Sequence, residues 1–454
     1  MHRLSAIRPR TAADLMAWGW RCYAILALLF AVGQIRTLVG PTAEPLFSPH
    51  RGVDVGAFYT VALMLREGER HQLGDVDAQA AAQQELQARA QTVNWQWFEP
   101  MPHPPAVALA ALPLTLMSLR HAYWVWTVAA LLAATVAAWC LARVCAPRVA
   151  VATALILIGF RPLWGLLWWG EDDVFVLLPV ALGTALLLAP PRDGASPSRR
   201  RELAAGLLLG CLALRPQFVL IPLLALAIGR RRAALGMAAS AGMLAVASVA
   251  LVGPHGSREY LELWRRYDST QSWHPGVRPD LMFNVRGAIV RLHRPLRATV
   301  QQGLTWSLSL VVWAVAVVTG GRALRDGRAA DLALAVIALG MLLGSPHTHQ
   351  QSMVFLELPL AIGVGRSLTE FGTVRRAGWA AIVLSLHATT NFLADEPTRQ
   401  ATVTLIGFAV FALMVVASLR VGFLVATADV ERGRVLPSSR GTVPVTVATL
   451  RSDP

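Results

Sequence analysis

Apolar runs of about 15–22 residues recur along nearly the whole chain, and arginines gather at their ends. A helix of about 20 residues spans a bilayer core of roughly 30 Å, and in lipid every backbone N–H and C=O must be satisfied within the segment. A bundle of membrane helices meets that demand. Only 15% of the 454 residues are charged, where a soluble chain has about a quarter. The expected fold is all-α, a polytopic integral membrane protein.

The net charge of +14 comes from arginine alone, because the sequence contains no lysine. These arginines flank apolar segments, so they read as topology signals, and a nucleic-acid partner is not expected. Cys22, Cys140, Cys145 and Cys211 lie in or beside apolar runs without CxxC spacing. They predict packing residues and no disulfide framework.

Residues 1–17, with Arg3, Arg8 and Arg10, read as a cytoplasmic N-terminus, and 18–39 as a retained first span. A polar interval at about 41–104 follows as the first external loop. Within it, 58–68 predicts a short amphipathic helix lying in the interface, and 77–93 a second, exposed helix. Residues 105–119 then re-enter the membrane and 122–141 return, while 149–169 is apolar but broken at Arg161-Pro162. With the later segments the chain predicts about 11–13 spans within 18–425. Among them, 203–214 and 218–228 are short and meet on the external side around Arg215. A second long external loop is expected at about 253–302, and 426–454 reads as a cytoplasmic, disordered tail. One conflict is internal to this reading. Asp54 and the acids Glu171–Asp173 share a side only if an even number of crossings separates them, yet three apolar segments lie between.

Polar residues at the external ends are the candidates for chemistry. Asp54, just past the first span, can act as a general base or cap the helix that follows. Arg215-Pro216-Gln217 interrupts apolar sequence at membrane depth, where a guanidinium either holds a phosphate or snorkels to headgroups. His347 and His349 alternate on one segment, as a metal-binding pair, a phosphate contact or plain polar end residues. The run Glu171, Asp172, Asp173 can bind a divalent cation or sugar hydroxyls, or simply begin a helix. No further cofactor is indicated, and no metal ligand set is assigned. Arg258, Arg265 and Arg266 with Tyr260 and Trp264 form a basic–aromatic patch suited to lipid headgroups or a glycan.

The order of these motifs resembles glycosyltransferase family 87. Asp54 with Phe58-Tyr59 resembles that family's first external loop, and Phe98 with His103-Pro104-Pro105 its Phe-x-Tyr-Pro-Pro. Gly170–Asp173 falls where the family has Gly-Gln-x-Asn. The run Ala205–Gly210 leading to Arg215-Pro216-Gln217 is similar to its Ala-Gly-Leu-Leu-Leu-Gly before Lys-Pro-Gln. Asn284–Gly287 resembles an Asn-containing loop motif, and Ser345-Pro346-His347-Thr348-His349 its Ser-Pro-His-x-His. The departures are His103 for Tyr and the acids Glu171 and Asp173 for a neutral pair. The resemblance implies a GT-C-type membrane fold in the inner (plasma) membrane. It also implies transfer of a sugar, mannose or arabinose, from a polyprenyl-phosphate donor to a glycolipid or polysaccharide hydroxyl outside the cytoplasm. It puts Asp54, His347 and His349 in catalysis. Arg215 and Gln217 are then expected at the donor phosphate, by charge and position. Phe58, Tyr59, Glu99, His103, Glu171, Asp173, Asn284 and Arg286 are the expected substrate contacts. The alternative is a non-catalytic transporter or flippase of lipid-linked saccharides.

Overall fold

The computed structural model describes residues 11–40, 51–90, 98–189, 198–268, 278–292, 296–327, 329–370, 372–393 and 397–435. Arg3, Arg8, Arg10 and the end of the expected tail lie outside them. All regular structure among the described residues is helical.

Helix α1 (Ala12–Val39) starts at Thr11, whose side chain accepts the Asp14 N–H at 3.2 Å. Trp20, Ala24, Ala27 and Ala31 face the bundle, while Ile25, Leu26, Leu29 and Val32 point outward, as expected of lipid contacts. A compact layer follows: α2 (Val53–Arg66), α3 (Val76–Ala90), then α4 (Val107–Ala111) running into a 3-10 turn at Leu112–Leu116. Helix α2 is no interfacial amphipath. Every residue from Val55 to Met64 is buried, because α3 and the 107–116 segment cover the face that lipid would otherwise meet. Nor is α3 simply exposed. Gln83 exchanges hydrogen bonds with the Glu99 backbone, and Gln79 accepts from the Met101 N–H at 2.9 Å.

The crossing α5 (Leu119–Cys145) leads to α6 (Ala150–Ile158) and α7 (Arg161–Trp169), a pair bent by 45°. The bend is held from outside the pair. Asn391 accepts the Arg161 N–H at 2.8 Å and donates to the Gly159 carbonyl at 3.0 Å, satisfying backbone groups that the break frees. The side conflict now resolves. Val107–Leu116 is ten residues long, roughly half a bilayer core, and packs on α2 without crossing. Two crossings therefore separate Asp54 from Glu171, and the two share a side.

Helices α8 (Asp173–Leu188), α9 (Arg199–Leu209), α10 (Leu220–Gly229) and α11 (Arg231–Asp268) come next. Gly206 and Gly236 let α9 and α11 cross in near backbone contact: a Cβ on Gly206 would sit 1.9 Å from the Ala233 carbonyl oxygen. Helix α11 breaks at Gly253, whose φ of 73° precedes Pro254, so 254–268 continues as a helix in the second long polar interval. That interval is less of a loop than expected. It also carries α12 (Val285–Leu292), and α13 (Ala298–Asp326) begins within it.

Helix α14 (Ala330–Gly344) is buried along its whole length from Leu332 to Gly344 and occupies the centre of the bundle. Helices α15 (Glu357–Thr369), α16 (Thr373–Leu393) and α17 (Pro397–Val435) complete it. The last continues past residue 425, so 426–435 is helical and not a disordered tail. Among the described residues, six helices are long and apolar enough to cross a membrane, or seven if the bent pair is one span. The remainder of the expected spans corresponds to shorter or more polar helices packed among them, including α8, α10, α14 and α16.

Candidate active site

The ends of these helices enclose a cavity of about 700 Å³, a size suited to a small ligand or the head of a larger one. Two contacts set its back wall. Gly52, in the left-handed conformation, ends its turn by donating to the Trp168 carbonyl at 2.9 Å. Gly170, with φ of 84°, lies against Val55 so closely that a Cβ would fall 2.3 Å from Val55 Cγ2. Together they press the start of α2 against the end of α7 and bring Asp54 beside the acidic run.

Asp54 lines the cavity near the N-terminus of α2. Gly52 occupies the cap position and Asp54 makes no capping bond, so the capping alternative is set aside. Its Oδ2 is enclosed without a hydrogen-bond partner. Burial, reinforced by the charges of Glu171 and Glu99 against the opposing Arg215, holds its carboxyl well above the usual range.

Arg215 does not snorkel. It is 8% exposed and held by the acids that follow α7. Its Nη2 bonds Glu171 and lies 2.8 Å from Asp172 Oδ1, and its Nε lies 2.5 Å from Asp173 Oδ1. Ser352 donates to the other oxygen of Asp173 at 3.0 Å. Burial opposes the guanidinium's charge, but the acids outweigh it and raise its pKa. For Asp172, burial outweighs Arg215 and raises the carboxyl. Beside them His103 packs on Phe58, ring centroids 5.1 Å apart, with Nδ1 3.5 Å from Asp172 Oδ2. Burial, then the charge of Arg215, pushes this imidazole down to about 3, so it is neutral.

His347 and His349 enter from the segment after α14, rings edge to face at 4.6 Å. Burial lowers both: His347 well below its ordinary value, helped by His349, and His349 to about 4, helped by Arg286. Neutral rings here can accept or relay a proton. Among the described residues no third donor joins the pair in a metal-sized cluster; the one such group is His103, Glu171 and Asp172.

The expected residues divide by position. Asp54, Phe58, Glu99, His103, Glu171, Arg215, Gln217, His347 and His349 line the cavity. Tyr59, Asp173, Asn284 and Arg286 do not. Tyr59 donates to the Met117 carbonyl at 3.0 Å, facing the 107–116 segment. Asp173 supports Arg215 from below. Asn284 donates to the Ser345 carbonyl at 2.9 Å and accepts from the Gly287 N–H at 2.8 Å, while Arg286 reaches the Pro346 carbonyl. These two hold the histidine segment in place. Trp169, Trp264, Arg161 and Arg278 line the cavity without having been singled out as site residues. Trp264 had a sequence signal in the basic–aromatic patch. Its indole donates to Tyr260 at 2.7 Å, and Tyr260 donates to the Pro102 carbonyl at 3.2 Å.

Among known families, the model described as glycosyltransferase family 87 matches residues 102–346. Neither the curated proteins nor the solved structures gave a match.

Proposed function

The chain belongs to glycosyltransferase family 87, and from that premise we propose an inverting sugar transfer with a polyprenyl phosphate as leaving group. The donor sugar is mannose, with arabinose the second candidate, and the acceptor is a hydroxyl of a glycolipid or polysaccharide. The reaction takes place on the extracytoplasmic side of the inner (plasma) membrane.

One observation carries the reading: Asp54 is a partnerless carboxylate, raised in proton affinity, in the same cavity as Arg215 and two neutral histidines. In the reaction the acceptor O–H gives its proton to Asp54 Oδ2 while its oxygen bonds the anomeric carbon. The anomeric C–O bond to phosphate breaks, and its electron pair leaves with the polyprenyl phosphate. Phosphate is a capable leaving group, so the site supplies a base, orientation and one guanidinium. Nη1 is the one guanidinium nitrogen of Arg215 not committed to a carboxylate, and it offers the donor phosphate a charged hydrogen bond. Gln217, whose amide N–H can donate to a phosphate oxygen, and the histidines complete that wall. Phe58, Glu99 and Glu171 face the sugars.

The test is Asp54→Asn in membranes supplied with polyprenyl-phosphate mannose and, separately, arabinose. Transfer is expected to fall about 10²–10⁴-fold. Unchanged transfer overturns the base assignment, and the sugar accepted identifies the donor.

A further inference from the structure

The charges facing the cavity do not balance. Glu171, Asp172 and Asp173 all bear on one guanidinium, and Asp54 and Glu99 face the same space. The other cavity arginines are already engaged: Arg161 donates to the Asn391 carbonyl, and Arg278 is paired with Asp280 at 2.7 Å. An anionic phosphate entering here meets more carboxylate than cation.

The carboxylates do not spend both their oxygens on that guanidinium. Arg215 Nη2 takes Oε2 of Glu171 and Oδ1 of Asp172, leaving the second oxygen of each uncommitted to it. Asp172 Oδ2 instead confronts His103 Nδ1 at 3.5 Å with no hydrogen bond between them. His103 is 5% exposed and fixed against Phe58. One donor atom from each of His103, Glu171 and Asp172 lies within 4.8 Å of the others. Bonds of about 2.1 Å set ligand atoms about 3–4 Å apart around an ion, so a small closure brings all three onto one.

We propose that His103, Glu171 and Asp172 bind a divalent cation of the manganese or zinc type, with its remaining positions open to the cavity. Mixed imidazole and carboxylate donors suit those ions better than calcium, which prefers oxygen alone. Arg215 stands behind the site and fixes both carboxylates. This rests on the proposed transfer only for the group that fills the open positions, an anionic phosphate oxygen.

The experiment uses the full-length chain in detergent, stripped with EDTA, dialysed and titrated with Mn²⁺ while bound metal is followed by electron paramagnetic resonance. One saturable site per chain is expected, with a pulsed signal from a coordinated imidazole nitrogen. His103→Gln should remove that nitrogen signal, and Glu171→Gln should weaken binding by about 10-fold or more. No saturable binding by the unaltered chain overturns the proposal, as does an undiminished nitrogen signal in His103→Gln. Sugar transfer measured in parallel separates the two readings. Transfer that persists in EDTA, with no Mn²⁺ bound, removes the cation and leaves the transferase. Mn²⁺ bound on these ligands with no transfer from any polyprenyl-phosphate sugar removes the transferase and leaves the cation site.

Discussion

Gly170 lies against Val55 with no room for a side chain between them. That contact joins helix α2, bearing Asp54, to the turn bearing Glu171, Asp172 and Asp173. Gly170→Ala adds a methyl into Val55 and forces a non-glycine residue to φ of 84°. A loss of stability of about 1–3 kcal/mol is expected. Thermal unfolding in detergent checks it, and transfer should fall further than stability alone explains, because the acids and Asp54 separate.

The raised proton affinity of Asp54 gives two linked outcomes. In its proposed role as base it works only when ionised, so transfer should rise with pH through an apparent pKa above the usual carboxylate value of about 3.9. Because the folded-state pKa is raised, the stabilising contribution of the protonated form is present at low pH and is lost as pH rises through that value. Asp54→Asn should therefore be inactive yet at least as heat-stable as the parent at neutral pH. A destabilised Asp54→Asn protein would show that the carboxylate is structural.

Arg215 neutralises carboxylates that burial would otherwise penalise. Arg215→Gln leaves them facing one another, at a cost of about 3–5 kcal/mol. Acid should partly rescue the variant, since protonating the carboxyls relieves the repulsion. Melting curves between pH 5 and 8 check this, expected to show the variant gaining on the parent as pH falls.

Asn284 acts through the segment it holds. Asn284→Asp keeps an acceptor for the Gly287 N–H but loses the donor to Ser345. Turnover should drop about 10-fold while donor KM changes little, because a misplaced catalytic group affects the transition state more than binding. An equal loss in Arg278→Ala, at a cavity wall away from that bond, would argue against this positioning role.

Trp264 is held rigid by Tyr260, and such a ring face can stack against the apolar face of a sugar. Trp264→Leu should raise the acceptor KM about 10-fold and leave donor KM unchanged. Tyr260→Phe should show part of the same effect, since the indole loses its anchor.

Much of this architecture was readable from apolar length and arginine placement. Those signals are strong because lipid tolerates so few backbone solutions. Length misled at 105–119, where an apolar stretch packs on α2 instead of crossing. It misled again at α2, whose burial depends on α3 arriving from 20 residues later to cover it. The candidate residues stood out by type, but their places around the cavity depended on distance. Nothing local distinguishes Glu171, which faces the cavity, from Asp173, which does not, or shows that Asn284 reaches the carbonyl of Ser345. The departures from the family pattern, His103 and Glu171, are far apart in the chain and meet in space at Asp172 and Arg215.

Helix α14 meets protein on all sides, and the segment carrying His347 and His349 grows from its end. Helices at the rim, such as α1, must tilt when the bilayer thickens or thins. The histidines are attached to an element buried along its length, away from lipid. The reaction centre is thereby insulated from the mechanics of its solvent, and changes in membrane thickness should alter substrate delivery before they alter chemistry.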